Sequence, residues 1–110
     1  MTLQSSVTAT VGADRVEFEY TVENVGNDPE DLQFRSGLKA DFAVLDGDVE
    51  VWRASYGRMF TQALQTETLP AGDSRTFPGA WEDPDPGTYT VVAELNTTGP
   101  DAEARTDFSV

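Results

Sequence analysis

Hydrophobic and polar side chains alternate along most of this chain. Val16, Phe18, Tyr20 and Val22 share one parity, while Glu17, Glu19, Thr21 and Glu23 share the other. Such a period of two predicts a half-buried strand with an acidic, solvated face. Val7, Ala9 and Val11 alternate likewise with Ser6, Thr8 and Thr10, and Gly12-Ala13-Asp14 has the chemistry to join both runs as a hairpin. Asn24-Val25-Gly26-Asn27-Asp28-Pro29 reads as a loop, after which Leu32 and Phe34 begin a short strand that Ser36-Gly37 ends. Residues 41–45 and 49–54 flank Asp46-Gly47-Asp48, the strongest short hairpin signal in the chain. Residues 56–63 break the alternation and predict an irregular or single-turn helical crossover. Strand character resumes over 65–69, Pro70-Ala71-Gly72-Asp73 turns the chain, and 74–77 forms a further strand before the Pro- and Asp-rich stretch 82–87. Tyr89, Val91, Ala93 and Leu95 then make an inward face, and Ala104, Thr106, Phe108 and Val110 make the last.

About eight short strands with regularly spaced turn signals predict an all-β fold, an immunoglobulin-like antiparallel β-sandwich. No amphipathic helix of useful length is visible. Pro86-Gly87-Thr88-Tyr89 places a tyrosine just after a turn at the start of a strand, where such sandwiches carry a tyrosine corner. A chain of 110 residues without internal repeats is expected to form one domain over residues 1–110.

Composition narrows the chemistry. Twenty Asp and Glu face seven Lys and Arg, a formal net charge of −13. That surface repels phosphate backbones and anionic lipid, so neither nucleic acid nor a membrane surface is an expected partner. Disorder is excluded by the 38% hydrophobic content and its patterning. Lys39 is the sole lysine, so arginine supplies the rest of the basic residues. Many carboxylates with few lysines suggest a halophilic protein, whose self-repulsion a high-salt cytoplasm screens. The polar N-terminus Met1-Thr2-Leu3-Gln4-Ser5-Ser6 has no basic and apolar signal pattern, and no apolar run is long enough to span a membrane. A soluble, unexported, cytoplasmic monomer is the expectation.

With no histidine and no cysteine, the commonest general base, the thiol nucleophile and thiolate metal sites are all missing. No Gly-x-Ser-x-Gly elbow is present either. An enzyme is therefore not expected, nor a cofactor. Asp46, Asp48 and Glu50, or Asp83 and Asp85, could offer oxygen ligands to calcium, but neither group has the spaced calcium loop, and turn chemistry alone accounts for both. Asn96-Thr97-Thr98 matches a glycosylation sequon, which has meaning only in an exported chain.

One segment differs from its acidic surroundings. Tyr56, Gly57, Arg58, Met59 and Phe60, preceded by Trp52 and Arg53, gather the aromatic, Arg and Met side chains that interface cores favour. Two readings stay open. The five residues 56–60 bind a partner, or Trp52, Met59 and Phe60 plug the open end of the sandwich.

At this segment the sequence resembles a known family. Phe34-Arg35-Ser36-Gly37, Asp41-Phe42-Ala43-Val44, Val51-Trp52-Arg53-Ala54-Ser55 and Met59-Phe60-Thr61-Gln62-Ala63-Leu64 are similar to the BsuPI family of intracellular proteinase inhibitors. Leu69-Pro70-Ala71-Gly72 and Pro86-Gly87-Thr88-Tyr89 extend the likeness, which runs from about Val16 to Leu95. The resemblance implies a β-sandwich that inhibits a subtilisin-type serine protease. The alternative is a general immunoglobulin-like interaction or adhesion module with no protease target, and a calcium-binding domain is the third reading.

Overall fold

In the computed structural model, which describes residues 3–98 and 101–110, nine strands run in chain order and no helix forms among the described residues. They are β1 (Leu3–Val11), β2 (Arg15–Asn24), β3 (Glu30–Phe34), β4 (Ala40–Asp46), β5 (Val49–Arg53), β6 (Gln65–Leu69), β7 (Ser74–Glu82), β8 (Thr88–Leu95) and β9 (Glu103–Ser109). Met1 and Thr2, which open the polar N-terminal stretch, lie outside the described residues.

The strands pair antiparallel in the orders β1-β2-β7 and β5-β4-β8-β9, with β3 and β6 forming a separate pair. The first two sheets stack through the faces that alternation selected. Val16, Phe18, Tyr20 and Val22 of β2 are buried, as are Tyr89, Val91, Ala93 and Leu95 of β8. Phe18 lies at the middle of the stack, 5.7 Å from the Phe42 ring and 5.6 Å from that of Phe108. Burying each such ring contributes about 1.5–3 kcal/mol, before the entropy of ordering is set against it. This is the immunoglobulin-like sandwich expected from the pattern.

The hairpin turn at 12–14 forms as expected, with the Gly12 N–H donating to the Arg15 carbonyl at 2.8 Å. The tyrosine corner forms too. Tyr89 Oη donates to the Asp85 carbonyl at 2.8 Å, fixing the turn that enters β8. Buried Asn24 closes the opposite end, its amide donating to the carbonyls of Asp28 at 2.8 Å and Leu69 at 3.0 Å.

One expectation needs correcting. The strand expected over 74–77 continues to Glu82 as β7, through Pro78 and Gly79. β7 is an edge strand, where a proline is tolerated because one side of the backbone is unpaired. Gly79 is needed there, since a Cβ would fall 2.7 Å from the Phe42 ring. The crossover after β5 is irregular, one of the two forms expected for it, with a turn over 54–57 and no regular structure over 58–64.

The sandwich is shut along one side and open along the other. Edge strands β1 and β9 lie together, with Ser5 Oγ donating to the Glu103 carbonyl at 2.9 Å and Tyr20 Oη to that of Ala102 at 2.8 Å. On the other side edge strands β5 and β7 have no ladder between them and meet through the stacked rings of Trp52 and Trp81, 6.1 Å apart. The loop that follows β5 leaves from this open side.

Candidate functional site

Strand β4 carries one carboxylate in an otherwise apolar run. Asp41 is only 7% exposed and sits between Ala40 and Phe42. Its burial is tolerable because four donors converge on it. Oδ1 accepts from the backbone N–H groups of Phe42 at 2.9 Å and Ser55 at 3.2 Å. Oδ2 accepts from the Arg53 guanidinium at 3.0 Å and from Ser55 Oγ at 2.8 Å. Three of these donors belong to the residues that lead from β5 into the loop over 54–64.

The network continues outward. Arg53 Nε and Nη2 fork onto one oxygen of Glu50, at 3.0 and 2.7 Å, and Tyr56 Oη donates to the other. Hydrogen bonds from Arg53 and then Tyr56 hold the Glu50 carboxyl below its ordinary range. The same bonds to Glu50 raise the pKa of both Arg53 and Tyr56. Asp41, Arg53, Glu50 and Tyr56 thus form a chain of alternating acceptors and donors from the interior to the first exposed aromatic of the loop.

Backbone contacts complete the frame. The Tyr56 N–H donates to the Arg53 carbonyl at 3.1 Å, and Gly57 takes φ +70°, a conformation that a residue with a Cβ adopts only at a cost. At the far side the Gly37 N–H donates to the Thr61 carbonyl at 2.9 Å. The loop is therefore tied near both ends and spans the open side of the sandwich.

Between those ties the five singled-out residues divide. Tyr56 is 63% exposed and Met59 98% exposed, and Gly57 and Arg58 also face solvent. Phe60 is half-buried. Its ring lies 5.2 Å beneath the Arg58 guanidinium and borders a groove of about 430 Å³ between the β5 and β7 edges, shared with Leu38, Phe42, Trp52 and Phe77. Trp52 turns inward against Phe18 and Trp81, at 6.2 and 6.1 Å. Plugging of the open side thus describes Trp52 and part of Phe60 but not Met59.

Asp41 was not among the residues singled out from sequence, although it organises the loop. The signal was a lone carboxylate inside a strongly apolar strand. Among the described residues no group of three or more Asp and Glu side chains gathers as metal ligands would.

A family model described as BsuPI, intracellular proteinase inhibitor, matches residues 3–100. No curated protein matches the chain. Among solved structures, a β-glucosidase from Kluyveromyces marxianus in complex with glucose is similar, with TM-score 0.56 and 13% identity over 99% of this chain. The chain spans 14% of that enzyme's length. A β-glucosidase from Erythrobacter marinus is similar over 97% of this chain and 15% of its own, with TM-score 0.54 and 12% identity. The CARDB domain of a Pyrococcus furiosus protein is similar over 99% of this chain and 94% of its own, with TM-score 0.54 and 16% identity. At such identities these likenesses show the fold alone.

Proposed function

The chain belongs to the BsuPI family of intracellular proteinase inhibitors, and from that premise we propose that it is a non-catalytic, cytoplasmic inhibitor of a subtilisin-type serine protease. It acts as a monomer, one domain over residues 1–110, and presents residues 56–60 to the protease. Met59 enters an apolar specificity pocket, and Tyr56 and Arg58 flank it.

The observation that carries this reading is the 98% exposure of Met59 on a loop tied near both ends. An inhibitory loop must already hold its bound shape, because ordering it on contact would cost affinity. A chain without cysteine has no disulfide for that purpose. The Asp41 network supplies the constraint instead. Phe60 is seated in its own groove, which leaves Met59 free to enter a pocket on the partner.

The test is titration against a panel of subtilisin-type proteases, with the parent and Met59→Asp side by side. The parent is expected to remove proteolysis stoichiometrically. Losing the burial of Met59 costs about 1.5–3 kcal/mol, and forcing a carboxylate into an apolar pocket adds at least about 2 kcal/mol. At 1.4 kcal/mol per tenfold, the variant should bind on the order of a thousandfold more weakly. Undiminished inhibition by Met59→Asp would rule out this loop. A parent that leaves every protease active, or is digested, would point to a general immunoglobulin-like interaction module.

A further inference from the structure

The peptide bond between Met59 and Phe60 joins a nearly bare side chain to a seated one. Arg58 belongs to the chain on the carbonyl side of that bond, yet its guanidinium covers the ring of Phe60 on the amine side. Just beyond, the Thr61 carbonyl is held by the Gly37 N–H at 2.9 Å. On the carbonyl side, Tyr56 is tied through Glu50 and Arg53 to buried Asp41. Both sides of one exposed peptide bond are therefore anchored independently to the sandwich.

We propose that Met59–Phe60 is the bond the protease attacks, and that Phe60 is the positioning residue that makes the attack reversible. The inference rests on the inhibitory reading just given. In the forward step the protease's serine Oγ bonds to the Met59 carbonyl carbon, and the C–N bond to Phe60 breaks. The serine proton passes through the protease's general base to the Phe60 nitrogen. In a flexible substrate the new amine would leave, and water would cleave the ester to a Met59 carboxylate and free serine. Here the amine belongs to a residue whose ring stays in the groove under Arg58 and whose neighbour stays bonded to Gly37. Held at the ester, it attacks the same carbonyl, remakes the peptide bond and returns the proton to serine.

Orientation of this kind is worth an effective concentration of about 10⁵–10⁸ M in well-aligned cases, so religation outruns hydrolysis while the anchor holds. A small misplacement of the amine costs on the order of a hundredfold. Truncating the anchor should therefore turn a lasting inhibitor into a temporary one.

The parent, Phe60→Ala and Phe60→Leu are incubated with catalytic subtilisin, and intact and clipped chains are followed by mass spectrometry. Phe60→Ala is expected to be clipped between residues 59 and 60 on the order of 10–100 times faster than the parent. Phe60→Leu, which keeps an apolar anchor, should fall between them. Purified clipped parent should also regenerate intact chain when subtilisin is added, and clipped Phe60→Ala should not. A role in stability alone would leave that regeneration untouched. Equal survival of Phe60→Ala and parent, cutting at another bond, or cutting spread over many bonds would each overturn the inference. In those cases a loss of inhibition in Met59→Asp would still support the inhibitory loop, whereas full inhibition by Met59→Asp would sink both.

Discussion

Replacing Asp41 with alanine removes the point on which the loop's first tie depends. Asp41 accepts four hydrogen bonds, one from the Arg53 guanidinium and three from neutral donors on Phe42 and Ser55. A bond to an ionised partner contributes about 1.5–3 kcal/mol and a neutral one about 0.5–1.5 kcal/mol. The Ser55 N–H, near the surface, recovers much of its bond from water. Arg53 keeps Glu50 and has a side chain 30% exposed, so its loss is tempered as well. The lower end of the range applies, about 3 kcal/mol, and most of it is the cost of stranding partners rather than the worth of the pair itself.

Urea unfolding measures that loss directly. With a slope of about 1–3 kcal/mol per molar, the midpoint of Asp41→Ala should fall by about 1–3 M. Asp41→Asn keeps a side chain of nearly the same shape and one acceptor oxygen, so its shift should be roughly half as large. Amide exchange adds the local readout. The N–H groups of Tyr56 and Arg58, bonded to Arg53 and Ser55, should exchange faster in Asp41→Ala than the β2 and β8 amides do. A midpoint shift under about 0.5 M, or uniform acceleration across all strands, would refute the view of Asp41 as the anchor of this loop.

Two further outcomes follow from charge and burial. With a net charge of −13, self-repulsion should ease as salt is added, so the melting temperature should rise between 0.05 and 2 M KCl, and no change would refute the proposed adaptation to high salt. Burial pushes the Tyr20 hydroxyl up to about 12, so above pH 10 the unfolded chain releases a proton that the folded chain retains. Stability is untouched by Tyr20 below pH 10 and falls by up to about 1.4 kcal/mol per pH unit from there to about 12, a decline that Tyr20→Phe should flatten in alkaline urea titrations.

The parts of the fold that could be read in advance are those where one strand face meets the core and the other meets water. β2 and β8 are such strands, and each of their alternating apolar residues is buried. β4 is different. Ala40, Asp41, Phe42, Ala43 and Val44 are all buried, and on the second face the side chains of Arg53 and Ser55 close against Asp41. Continuous burial erases the period of two, and with it the hint that Asp41 points somewhere specific. β7 reads as ending at Phe77 because Pro78-Gly79 interrupts the alternation, and nothing local reveals that an edge position tolerates the proline and that the Phe42 ring requires the glycine. At the site, composition singles out Tyr56, Gly57, Arg58, Met59 and Phe60. The tie beneath them depends on register: Ala43 pairs with Arg53, so Asp41, two residues from Ala43, reaches Arg53 only as a diagonal neighbour on the same face. No spacing in the chain displays that. The seat of Phe60 depends on two edges that come together only in the sandwich.

The placement of charge also bears on how such a loop could work where salt is high. Arg15 and Glu17 form an ion pair with side chains 47% and 55% exposed, and mobile ions screen a pair of that kind strongly. Arg53 and Asp41, at 30% and 10%, are far less open to that screening. The tie that shapes the loop therefore persists under conditions that silence the surface pairs. Salt also removes long-range steering, so a protease must be held by short-range contacts once it arrives. Under the proposed reading, burial of Met59 in an apolar pocket would survive salt, and excluded kosmotropic salts would strengthen it. Under the proposed high-salt, inhibitory reading, a salt-resistant internal tie and an apolar apex would be two halves of one requirement: the loop would have to keep its shape and its affinity in a solvent that weakens every exposed charge.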